Sequence, residues 1–86
     1  MIELPDCIEP GRGPGYHLVF IMVHGVPLTI GSLPYQHPDG TLNPPKEVAA
    51  WAQGIGTRYK RHPSTQVPPD APVGVYSGDT GERLVT

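Results

Sequence analysis

The chain has 86 residues, a net charge of −2 with histidine counted as neutral, eleven glycines and twelve prolines. That length makes one small domain with a thin core. The slight acidity gives no general attraction to nucleic acid or to an anionic membrane, and the longest purely apolar run, Leu18–Val23, is far too short to span a bilayer.

Glycine and proline at this level border on the composition of disordered chains. The apolar residues are not scattered, however. They cluster at 18–33, 48–55 and 73–85, which predicts a folded domain with long ordered connections. The single cysteine, Cys7, excludes an internal disulfide and points to a reducing cytoplasm. As a free thiol it reads as a small buried hydrophobe.

Residues 1–15 hold three prolines and the glycine-rich run GRGPG, and read as an extended N-terminal arm that Ile2, Leu4 and Ile8 can pin to the body. The opening MIELPDCIEP carries two prolines and no basic stretch, so no signal peptide is expected. The domain proper is expected over 16–86.

Tyr16–Val23 and Val26–Leu33 both read as strands, rich in β-branched and aromatic residues. His24-Gly25 between them fits a two-residue turn with positive φ at both positions. Pairing outward from that turn sets Val23 against Val26, Ile21 against Leu28, Val19 against Ile30 and Tyr16 against Leu33. Pro27 donates no ladder hydrogen bond, so the second strand should lie at an edge.

The stretch PYQHPDGTLNPP is a turn-rich connection. Asn43 can cap a helix with Pro44 at its first position, and Glu47 suits the positive end of the helix dipole. Val48, Trp51, Ala52, Ile55 and Tyr59 recur at helical spacing. They predict a helix over 44–53; Gly54 can end it as a cap, or be passed over so that the helix reaches about 61. The STQVPPDAP segment is a polyproline-like link, and VGVYS and ERLVT around Gly78-Asp79-Thr80-Gly81 read as a second hairpin. The order is ββαββ: an α+β domain of antiparallel hairpins packed on one helix.

Several segments invite a chemical reading. FIMVHGVP resembles the strand-plus-His-Gly segment of α/β-hydrolases, but the chain has no G-x-S-x-G elbow and is several-fold too short. His37-Pro38-Asp39 is the tripeptide that J-domain co-chaperones hold between two helices. The preceding TIGSLPYQ, with Gly31 and Pro34, cannot form the required helix, so a proline-directed turn is expected. Cys7, His17, His24, His37 and His62 lack metal-ligand spacing, and no metal or other cofactor is expected. GRGPG precedes a strand and GIG lacks a following Lys-Ser/Thr, so neither is a phosphate cradle. The carboxylates lie in arms, links and turns, outside the apolar settings that tune a catalytic acid. No catalytic residue is assigned and no enzyme is expected.

Two surfaces remain. Arg58, Tyr59, Lys60, Arg61 and His62 form a basic patch with an aromatic among the charges. It complements a helix C-terminus, or it contacts an acidic protein or, with Arg12, nucleic acid. The first hairpin is apolar on both faces, and one helix covers only one of them. With the helix over Val19, Ile21, Val23, Val26, Leu28 and Ile30, the face of Tyr16, Leu18, Phe20, Met22 and Leu33 needs another cover; the N-terminal arm can supply part, and the rest is expected to be an exposed protein interface. These readings favour a non-catalytic interaction protein that binds a larger partner or forms a homodimer. Small α+β domains of this kind are common among accessory proteins of phages and mobile elements that inhibit host restriction or CRISPR complexes. A nucleic-acid-binding accessory protein is the alternative, and a small metal protein or enzyme comes last.

Overall fold

The computed structural model describes residues 4–84. It has three antiparallel strands and one helix: β1 (Tyr16–Val23), β2 (Val26–Pro34), α1 (Pro45–Arg61) and β3 (Val73–Ser77). The sheet order is β2-β1-β3, so the most apolar strand is central and β2 is an edge, as Pro27 requires. This is the expected α+β class. No helix among the described residues is long and apolar enough to cross a membrane.

The first hairpin closes through His24 (φ 51) and Gly25 (φ 80), the positive-φ pair of a two-residue turn. From there the strands pair as the turn dictates: Val23 with Val26, Met22 with Pro27, Ile21 with Leu28 and Phe20 with Thr29. The register then slips. Val19 pairs with Gly31 instead of Ile30, and Leu33 pairs with His17 instead of Tyr16. Ile30 is the extra residue of a β-bulge, and every later side chain of β2 changes face. Leu33 therefore joins the helix side, where it packs with Val19, Val48, Ala52 and Val75.

α1 runs unbroken through Gly54 and Gly56 to Arg61, the longer of the two expected lengths. Gly56 is where the helix meets β3: a Cβ there would lie 2.6 Å from Val73 Cγ2, so only glycine allows the approach. The buried stripe is Val48, Ala52 and Gly56. Trp51 and Ile55 lean over the β2 side, against Gly31. Asn43 is not the cap. Pro44 occupies that position without a side-chain bond, and the Asn43 amide donates instead to the Pro34 carbonyl at 2.7 Å. His37-Pro38-Asp39 forms the expected turn, closed by Gly40 N–H to His37 O at 2.9 Å and by Thr41 N–H to Asp39 Oδ1 at 3.0 Å.

The second hairpin is shorter than expected. Glu82 and Arg83 form only isolated bridges, to Cys7 and Tyr76, and no fourth strand develops among the described residues. The expected pin Ile2, and Val85 and Thr86 of the expected last strand, lie outside the described residues. The 78–83 turn is shared between partners. Ser77 N–H bonds Glu82 O at 2.9 Å and Leu84 N–H bonds Val75 O at 2.8 Å on one side, while the arm takes the other.

Candidate interaction surface

The expected interface is largely closed. Leu18, Phe20 and Met22 are 7, 1 and 7 % exposed within the single chain. Leu33 sits half-buried on the opposite face, and of the expected set only Tyr16 is well exposed. For Leu18 and Phe20 the reason lies in the arm. Ile8 packs on Leu18, Phe20 and Tyr76, and the Arg12 guanidinium stands 5.5 Å over the Phe20 ring. Tyr76 meets Phe20 edge-on at 5.4 Å and donates its hydroxyl to the Pro5 carbonyl at 2.6 Å. Burial raises the pKa of that hydroxyl.

Backbone bonds fix the arm along the 78–83 turn: Ile8 N–H to Gly81 O, Gly11 N–H to Asp79 O, Gly13 N–H to Gly78 O and Arg83 N–H to Asp6 O, at 2.8–3.1 Å. Such bonds depend on backbone path rather than side-chain type, so composition gave no sign of them. Cys7, expected to be buried, is exposed within this arm, with its thiol 3.1 Å from the Ile8 carbonyl.

Four large hydrophobics stand open among the described residues, Tyr16, Val26, Leu28 and Leu42, and two of them, Val26 and Leu28, lie together on β2. Val26 is 62 % exposed and Leu28 is 42 % exposed, although both were expected under the helix. α1 covers the Ile30–Leu33 half of the strand, and Val26 and Leu28 lie outside the core cluster. They share one face of the edge strand, two residues apart. Pro27 between them falls in a non-hydrogen-bonded pair, because the pair closing a two-residue turn is the hydrogen-bonded kind. Its missing N–H thus faces outward and blunts the edge, as does the bulge at Ile30. Part of the sequence signal was present, because Pro27 marked the edge; that the helix end leans to β3, with Gly56 against Val73, was not.

The basic patch divides. Arg58, Tyr59 and His62 line a groove of roughly 440 Å³ with Ile55, Ser64 and Thr65. Lys60 turns away and donates to the Pro69 carbonyl at 3.2 Å, and Arg61 is exposed outside the groove. Arg12 is far along the chain and committed to Phe20.

A polar junction joins the two sheet edges at the opposite end. The Tyr35 hydroxyl lies 2.5 Å from Ser77 Oγ and accepts the Asp79 N–H at 3.3 Å, while Asp79 Oδ1 accepts the Gly15 N–H at 3.2 Å. The His17 ring packs edge-on against Tyr35 at 4.5 Å. Its Nδ1 is buried without a hydrogen-bond partner among the described residues, and burial lowers its pKa. Ser77 Oγ is hydrogen-bonded to Tyr35 and not to the imidazole, so this grouping is a structural tie and has no activated nucleophile. Among the described residues, no three His, Cys, Asp or Glu side chains stand close enough to hold a metal ion. No family model, curated protein or solved structure matches this chain.

Proposed function

We propose that this chain is a non-catalytic protein-binding module of the accessory or inhibitor kind, acting in the cytoplasm, and that its contact surface is the open half of β2. The observation that carries this reading is the exposure of Val26 and Leu28 side by side on an edge strand. Exposed apolar side chains at an edge favour a partner chain lying alongside. Pro27 and the bulge limit indiscriminate strand pairing, which favours recognition through these side chains over open-ended sheet extension. A nucleic-acid role has less support, because the cations expected to act together are split between a groove, a backbone carbonyl and an aromatic ring.

Site-specific photo-crosslinking in the native cell tests the reading. Benzoylphenylalanine at Val26 is expected to give one discrete protein adduct, which a second change, Leu28→Glu, abolishes. The same group at Ala50, exposed on α1, is expected to give none. An adduct yield from Val26 no higher than from Ala50, or one untouched by Leu28→Glu, contradicts the assignment. An adduct of twice the chain mass assigns the surface to a second copy.

A further inference from the structure

We propose that the groove at the C-terminal end of α1 is a second binding site, and that it takes an acidic segment of a partner protein carrying an apolar side chain. The groove has two kinds of wall. Ile55 and the half-buried Tyr59 supply apolar surface. Arg58 and His62 supply hydrogen-bond donors at its rim.

A basic helix end ordinarily serves the helix itself, by meeting the last carbonyls. Here other groups meet two of the terminal carbonyls. The Tyr59 carbonyl accepts the His62 N–H at 3.2 Å, and the Thr65 hydroxyl lies 2.9 Å from Tyr59 O and 2.8 Å from His62 O. Arg58 is exposed, and the one ion pair among the described residues joins Arg83 to Asp6, so the Arg58 guanidinium has no carboxylate partner there. His62 is fixed in orientation: its Nδ1 accepts the Ser64 N–H at 3.3 Å and lies 2.6 Å from Ser64 Oγ, which leaves Nε2 as its free donor. A planar guanidinium beside a ring N–H suits a carboxylate, and the Ile55–Tyr59 wall suits a neighbouring aliphatic side chain.

Charge selects among occupants. The protein is acidic overall, so a cationic groove on it is a local feature and not part of a general positive field. A nucleic-acid strand needs a longer track of cations, and Lys60 is turned to Pro69. One or two carboxylates beside an apolar residue match what is present. This site does not depend on the β2 surface, and its test leaves Val26 and Leu28 untouched.

The test is fluorescence anisotropy on the full chain, using a short fluorescein-labelled peptide rich in Glu with two leucines. The comparison probes are the same peptide with Lys for Glu, one with Ser for Leu, and an oligo-dT strand. The acidic peptide should bind, more weakly as salt is raised. Arg58→Glu should lower its affinity by about tenfold, the loss of one charge-assisted contact. Lys46→Glu, the same charge change at the other end of α1, should stay within about twofold. Exchanging Leu for Ser in the peptide should weaken it several-fold. Arg58 is exposed, so its replacement leaves folding intact, with circular dichroism as the check. An affinity unmoved by Arg58→Glu overturns the proposal, as does equal binding of the Lys peptide or tighter binding of oligo-dT.

Discussion

At the residue scale, His17 ties stability to pH. Its Nδ1 is buried and has no hydrogen-bond partner among the described residues, so the folded protein resists placing a charge there and holds the imidazole pKa below its ordinary 6.5. The unfolded chain has no such restriction. Below about pH 6.5 it therefore binds more protons than the folded form, and stability falls with falling pH until the folded pKa is passed. Urea unfolding should show a lower midpoint at about pH 5 than at about pH 7.5, and His17→Gln should flatten that difference. The other group with a lowered pKa, Asp39, is held down first by the Thr41 hydroxyl and N–H. It titrates in a more acidic window and does not confuse the result. An equal midpoint shift in the variant would remove His17 from the explanation.

At the scale of elements, the two glycines of α1 make opposite predictions. Gly54 faces open space, and Gly54→Ala should stabilise the protein by about 0.5–1 kcal/mol through helix propensity alone. Gly56→Ala gains the same propensity but drives a methyl into Val73, and overpacking costs roughly 1–3 kcal/mol. It should lower the thermal midpoint while Gly54→Ala raises it. The sequence displayed both glycines alike as interruptions of a helical stripe. Only the distance to β3 separates them, and that distance is tertiary. The first hairpin shows the same division. His24-Gly25 specified the turn and the four pairs nearest it, because turn chemistry is local. The bulge at Ile30 lies next to Gly31, over which Ile55 and Trp51 sit, a tertiary contact that no local pattern announces. Its effect was to carry Leu33 to the helix side and out of the expected interface.

At the scale of the whole molecule, the sequence made the surplus of apolar area on β1 plain and offered the arm for only part of its cover. The cover is internal. The arm and the 78–83 turn close over Leu18 and Phe20 through glycine-rich backbone, whose composition reads as disorder but whose N–H and C=O groups pair in register. The β2 tip stays open because a single helix lies over the other half of the strand. Methyl nuclear magnetic resonance with a soluble paramagnetic gadolinium chelate measures both statements at once. Strong line broadening is expected for the methyls of Val26 and Leu28, with Leu18, Ile21 and Met22 left sharp. Equal broadening of Leu18 would contradict this expectation, because that face of β1 would then be open to solvent and the arm no lid.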